Sequence, residues 1–203
     1  MFTGIIHGLG RVESIRAVKG DGGGKAAVMN VNLGKLARGL KVGDSVSING
    51  ACLTVVRLRR GRAGFEMIGE TMKKTALGRL TEGERVNLER SLRFGDPMDG
   101  HFVMGHVDCT GTILQKAKQK NQTKLWVRIE DRKMIRYIVP KGSIAIDGVS
   151  LTVVDVLKDR ISVALIPHTL TVTTLGTKGR GSRVNVEIDL LGKYASKLLT
   201  GSR

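Results

Sequence analysis

Residues 45–56 read SVSINGACLTVV, and residues 143–154 read SIAIDGVSLTVV. Seven of the twelve aligned positions are identical, at an offset of 98. Each phrase opens by alternating apolar and polar residues, the period of a strand with one buried face. Each then reaches Asn49-Gly50 or Asp147-Gly148, strong turn signals because Gly accepts positive φ and Asn or Asp tolerates it. Each closes on a short run of Leu, Thr and Val, which favours a second strand.

The duplication continues outward. TALG at 75–78 answers TTLG at 173–176, VNLE at 86–89 answers VNVE at 184–187, and GET at 69–71 aligns with PHT at 167–169. Nearer the start of each half the offset is 101, with Gly4 matching Gly105 and Gly10 matching Gly111. A three-residue length change in the variable stretch between, which contains KGDGGGK at 19–25 and AKQKNQTK at 117–124, accounts for the difference. A period this long is one domain duplicated, not a stack of short repeats. The linker is expected at RFGDPMDG, residues 93–100, where Gly, Pro and Asp cluster.

Short segments rich in Val, Ile, Leu and Thr recur through both halves: CLTVV, RVNLE, ISVALI and RVNVEI. About six such strands per half predict a small closed barrel, which leaves few exposed edges. The expected fold is therefore all-β: two similar six-stranded antiparallel Greek-key barrels in tandem. The expected domains are 1–96 and 97–189, with a C-terminal helix over 190–203. Short helical turns are expected within NLGKLARGL and TMKKTALGRL. In the tail, Leu190, Leu191, Tyr194, Leu198 and Leu199 fall at roughly helical spacing and form one apolar stripe.

Composition narrows the function. The 203 residues carry 34 Lys+Arg against 18 Asp+Glu, a formal net charge of +16. Such a balance can mark a nucleic-acid binder, but the basic residues are scattered and aromatics are only 3%, too few for a base-stacking platform. A solvated basic surface is the expectation, with no nucleic-acid partner. The apolar runs are far shorter than the ~20 residues of a membrane helix. The start of the chain lacks a secretory pattern, and Cys52 and Cys109 have no metal-ligand spacing, which favours reduced thiols in the cytoplasm.

The duplicated positions that differ carry chemistry. Cys52 faces Ser150, Ile5 faces His106, Gly43 faces Lys141, Glu70 faces His168, and Ser91 faces Asp189. The second copy thus gains two imidazoles, an ammonium and a carboxylate, groups that move protons or stabilise charge. Two copies of one pocket suit an enzyme that joins two identical small molecules, because holding both removes much of the entropy cost of their encounter. A duplicated binding module without chemistry is the other reading of the repeat.

Six motifs in register, MFTGII, NGACLTV, GHFVMGHVD, YIVPKGSIAIDGVSLTV, IPHTLTVTTLG and VNVEIDLLGKY, resemble those of the riboflavin synthases with two related barrels. The resemblance covers nearly the whole chain. It implies dismutation of two 6,7-dimethyl-8-ribityllumazine molecules by four-carbon transfer, with no metal and no redox cofactor. It also implies a homotrimer whose sites lie between barrels of neighbouring subunits, and it leaves association with lumazine synthase open.

Carried over position by position, the resemblance implies an N-terminal pocket of Gly4, Ile5 and Ile6, then Cys52, Leu53 and Thr54, then Glu66, Met67, Ile68, Gly69, Glu70 and Thr71. The C-terminal pocket is expected from Gly105, His106 and Val107, then Lys141, then Ser150, Leu151 and Thr152, then Ile166, Pro167, His168, Thr169 and Leu170, with Asp189 completing it. His106 is the expected proton carrier. Ser150 and Thr152 are expected to orient the second ring or share a relay, Cys52 to act as nucleophile or polar contact, Asp189 to orient a neighbour, and Lys141 to hold ribityl or ring oxygens. His101 is read as structural, His7 as without a role, and Cys109 as a buried small residue. Asp99 and Met104 depart from the family's wording. A non-catalytic lumazine or flavin carrier on the same fold is the alternative.

Overall fold

The computed structural model describes residues 1–19 and 25–199. The N-terminal half contains β1 (Gly8–Lys19), β2 (Lys25–Asn32), β3 (Ser45–Ile48), β4 (Ala51–Arg59), β5 (Arg62–Ile68) and β6 (Arg85–Arg90). A short helix, α1 (Gly69–Lys74), follows β5. The C-terminal half repeats the set with β7 (Cys109–Lys118), β8 (Thr123–Ile129), β9 (Ser143–Ile146), β10 (Val149–Val156), β11 (Arg160–Leu165), α2 (Pro167–Val172) and β12 (Arg183–Ile188). The chain then enters α3 (Leu190–Leu199).

Each half is a closed antiparallel barrel, ordered β1-β2-β5-β4-β3-β6 and, equivalently, β7-β8-β11-β10-β9-β12. Strands β3, β4 and β5 run as a meander while β2 lies beside β5, the Greek-key arrangement. Closure removes free sheet edges. The expected helical turns fall at Gly34–Ala37, in α1 and at Ala76–Arg79. The length change within 19–25 and the last residues of the expected tail helix, 200–203, lie outside the described residues apart from the strand ends.

Alternation fills the two interiors. Val12, Met29, Ile48, Val55, Phe65 and Leu88 are fully buried in the first barrel, and Ile113, Leu125, Ile144, Val153, Val163 and Val186 in the second. The repeated phrase forms the hairpins β3–β4 and β9–β10. Asn49 and Asp147 adopt φ of 45° and 47°, as the tight turn requires.

The two barrels meet along a seam with near two-fold symmetry. Phe2 and Val103 exchange main-chain hydrogen bonds of 2.7 and 3.1 Å. The Asn87 amide donates to the Asp147 carbonyl and accepts from Thr174 N, while Asn185 donates to the Asn49 carbonyl and accepts from Ala76 N. The repeated VNLE and VNVE phrases thus supply equivalent links in both directions. Phe2, Val103 and Ala145 form a small apolar cluster of their own, with Cys52 packed against it.

Candidate functional site

The entry segment of each barrel crosses to the other barrel. Ser150 N donates to the Gly4 carbonyl, and Cys52 N donates to the Gly105 carbonyl, both at 2.8 Å. Gly4, expected in the N-terminal pocket, docks with Ser150 of the second barrel, whereas Gly105, His106 and Val107, expected in the C-terminal pocket, line a cavity with Cys52. Two features enforce the exchange. Gly4 and Gly105 have φ of +79° and +77°, and a Cβ on either would lie 2.6 Å from the Cβ of Ser150 or Cys52. Only glycine allows the main chain so close.

Two buried carboxylates hold the crossing segments. Glu89 accepts from Thr3 N at 2.6 Å and Gly4 N at 3.0 Å, and Glu187 accepts from Met104 N at 2.6 Å and Gly105 N at 2.9 Å. Burial pushes both carboxyls above the usual glutamate range, and the amide donors partly offset it. These residues were missed as site supports in the sequence, although both end the repeated VNLE and VNVE phrases.

The cavity beside Cys52 measures about 500 Å³. Its walls include Cys52 from β4, Ile68 at the end of β5, Glu70 and Thr71 from α1, and Gly105, His106 and Val107 from the crossing segment. Ala51, Lys74, Thr75, Asp108 and Met134 also line it, and none of these was singled out from the sequence. Glu70 pairs with Lys74 at 2.9 Å, and this hydrogen bond with its attendant charge lowers the Glu70 pKa. An apolar ring could lie against Ile68 and Val107, with a thiol, an imidazole and a hydroxyl at its edges.

On the second barrel, Ser150 makes an unforeseen contact. Its hydroxyl lies 2.7 Å from His101 Nδ1. Burial lowers the His101 pKa, while the charge of Asp189 opposes that shift. A neutral imidazole against a serine hydroxyl can polarise or orient it. His101, read from the sequence as structural, therefore adjoins Ser150, while His106 lines the cavity beside Cys52. Asp189 Oδ1 also accepts from Leu191 N and so caps the start of α3.

The remaining expected residues divide by orientation. Leu53, Met67 and Leu151 point into the barrel cores, so they offer a ligand only main-chain groups. Thr54 and Thr152 are exposed and paired in register with Ser45 and Ser143. Glu66 is exposed on β5, and Gly69 opens α1. Ile5 is exposed and Ile6 packs against the second core. Ile166, Pro167 and His168 are exposed at the start of α2, where Pro167 occupies the first turn; Thr169 and Leu170 are half-buried. Lys141 is exposed with φ of 66°, in the position where Gly43 has φ of 96°. Cys109 is buried with its thiol pushed up to about 12, chiefly by desolvation, so it is an inert small residue. His7 accepts from Arg90 N, and desolvation lowers its pKa.

Comparison with known proteins places this geometry. The model of the lumazine binding domain matches twice, at residues 3–91 and 104–189. Riboflavin synthase of Actinobacillus pleuropneumoniae is 42% identical, covering 98% of this chain and 90% of the relative. Riboflavin synthase of Bacillus subtilis is 38% identical with the same coverage. Among solved structures, LumP complexed with riboflavin superimposes with a TM-score of 0.82 and 27% identity, over 93% of this chain and 99% of that one. LumP complexed with 6,7-dimethyl-8-(1'-D-ribityl) lumazine gives a TM-score of 0.79 at 26% identity, over 92% of this chain and 98% of that one. With two matched domains spanning most of its length and relatives well above 30% identity, the chain belongs to the riboflavin synthase family of duplicated lumazine-binding barrels.

Proposed function

We propose that the protein is a transferase that converts two molecules of 6,7-dimethyl-8-ribityllumazine into riboflavin and 5-amino-6-(ribitylamino)uracil, the last step of riboflavin biosynthesis. A four-carbon unit passes from one lumazine to the other. The observation that carries this reading is the doubled crossing contact with unequal chemistry: a crossing glycine segment stands against Cys52 in one barrel and against Ser150 in the other. The C7 methyl of one lumazine loses a proton while C7 of the other accepts a nucleophile. Such a reaction needs two similar ring sites with different proton-handling groups.

In this reading His106 carries protons at the site shared with Cys52. Cys52 acts as nucleophile or polar contact, and Ser150, oriented by His101, serves the second ring. Thr54 and Thr152, with Lys141, hold ring or ribityl oxygens. The main chain from Glu66 to Thr71, and from Ile166 to Leu170, offers donors and acceptors to the pyrimidinedione edge. Domains divide at 96/97 and at 189/190.

A carrier is the competing reading, favoured by the structural likeness to LumP. The enzyme is preferred because the relatives named riboflavin synthase are 38% and 42% identical, against 26% and 27% for LumP. Incubation of the pure protein with the lumazine should generate riboflavin absorbance. Tight binding without riboflavin would assign the carrier role.

The working form in this proposal is a cytoplasmic homotrimer with sites completed between subunits. Exposure of Leu191, Tyr194, Leu198 and Leu199 on α3 supports association, since a lone protomer leaves that stripe in water. Among the described residues no helix is long and apolar enough to cross a membrane. Light scattering should detect a trimer that loosens on dilution, and a fully active monomer would refute the intersubunit site.

A further inference from the structure

We propose that the end of the N-terminal barrel remote from Cys52 carries an anion site for oligophosphate groups, built by Arg57, Arg59, Arg60 and Arg62. The inference is independent of the substrate reading. Lumazine bears no phosphate, and Arg59 stands seven residues beyond Cys52 along β4, or ~23 Å at the rise of a strand.

The groove measures about 580 Å³. Its shape follows from two bulges, between Val12 and Ser14 in β1 and between Val55 and Arg57 in β4, which bend the outer face of the barrel. Arg57 and Arg59 fall on one face by the two-residue period, Arg62 is paired in register with Arg59, and Gly64 with Arg57. Gly64 brings no side chain, and a Cβ there would press on Arg57 Cβ and Asn30 Oδ1, each 3.2 Å away, so glycine lets these two side chains approach across the strands. Arg60 occupies the hairpin turn with φ of 47°, a backbone that Asn or Gly would adopt with less strain.

Charge balance makes this a site rather than a salt-bridge surface. Among the described residues Glu13 is the one carboxylate lining the groove, and Arg62 engages it at 2.9 Å. Arg57, Arg59 and Arg60 have no ion-pair partner among the described residues. Like charges set opposite one another across a strand pair repel. An anion between them relieves that repulsion.

The second barrel supplies the control. The equivalent positions there hold Asp155 for Arg57, Leu157 for Arg59, Lys158 for Arg60 and Trp126 for Asn30, while Arg160 keeps the arginine of Arg62 and lines the groove with Lys116 and Arg180. There Asp155 is neutralised by Lys124 at 2.7 Å. The same bulged backbone therefore folds with Arg160 alone kept from the four arginine positions, so the fold does not require arginine at the other three. Among the described residues no aromatic lines the N-terminal groove, which leaves bases nothing there to stack on. Guanidinium forks match phosphate oxygens two at a time. The ligand class that fits is a short run of phosphates, either inorganic or the phosphate tail of a nucleotide.

Calorimetric titration of the full chain with inorganic tripolyphosphate, with sulfate at matched ionic strength as reference, tests this. The expected result is preference for tripolyphosphate, lost by about tenfold or more in the double variant Arg57→Gln/Arg59→Gln, with riboflavin formation unchanged. Titration with ATP separates the sources: equal or tighter binding assigns nucleotides, weaker binding assigns the inorganic chain, and both support the site. Equal affinity of variant and parent overturns the proposal, as does failure of tripolyphosphate to outcompete sulfate. Tighter binding of a single-stranded RNA than of tripolyphosphate also overturns it, by assigning the groove to nucleic acid. Should circular dichroism find the double variant unfolded, Glu13→Gln decides. Removing the carboxylate should tighten binding about threefold or more, and unchanged or weaker binding rejects the site.

Discussion

Asn49 and Asp147 occupy the same turn in the two barrels, yet they solve burial differently. Asn49 is neutral and buried, and its Oδ1 accepts from Asn87 N at 2.7 Å. Asp147 is fully buried, its Oδ1 accepts from Asn185 N at 2.8 Å, and Lys178 approaches its other oxygen. The residue matching Lys178 in the first barrel is Leu80. The pairs Asn49/Leu80 and Asp147/Lys178 are thus two consistent solutions for one site. Burial pushes the Asp147 carboxyl up, and Lys178 pulls it back. The lesson is that halves of a duplicated fold diverge in matched pairs where the interior forbids an unpaired charge.

The largest effect should come from breaking one pair. Lys178→Leu alone leaves a buried carboxylate without its cation and should destabilise the protein by about 3–5 kcal/mol. Adding Asp147→Asn converts the second barrel to the solution of the first and should restore most of that loss. Denaturant melting of the single and double variants measures both. No recovery in the double variant would mean that the two seams are not interchangeable.

The catalytic difference should be next in size. His106→Ala should lower single-turnover riboflavin formation by ~10²-fold or more, the usual scale of general acid–base catalysis. Ile5→Ala, at the matching position, should change it only a few-fold while lumazine still binds. Equal losses at the two positions would make the imidazole a packing residue.

Cys52→Ser gives the first barrel the side chain of the second. Lumazine affinity should persist, because the Gly105 contact is made by the main chain. The rate should fall roughly tenfold, since serine ionises far less readily than cysteine. An unchanged rate would reduce the Cys52/Ser150 difference to drift.

The pH response should be smallest, and alike in both halves. Burial raises the carboxyls of Glu89 and Glu187, so the folded state binds more protons than the unfolded state. Their contribution to stability is complete below the ordinary glutamate pKa and is lost as pH rises through the raised values. Glu89→Gln and Glu187→Gln should each flatten the decline of stability with rising pH. A decline removed by only one of them would reveal an asymmetry that the matching contacts do not predict.

Local chemistry made much of the molecule legible from residues alone. The 98-residue repeat, the alternating strands and the Asn-Gly and Asp-Gly turns predicted two barrels, because strand period and left-handed turns depend on neighbours in the chain. The unequal residues Cys52, His106 and Ser150 were legible for the same reason, as differences at aligned positions. Sequence did not disclose which barrel receives each entry segment. That choice rests on Gly4 meeting Ser150 and Gly105 meeting Cys52, main-chain bonds between residues far apart in sequence. Nor did it place His101 against Ser150 or expose Glu89 and Glu187 as anchors. A crossing segment has no periodicity that names its destination. Its amides must find acceptors once buried, and only the packed seam between the two barrels supplies them.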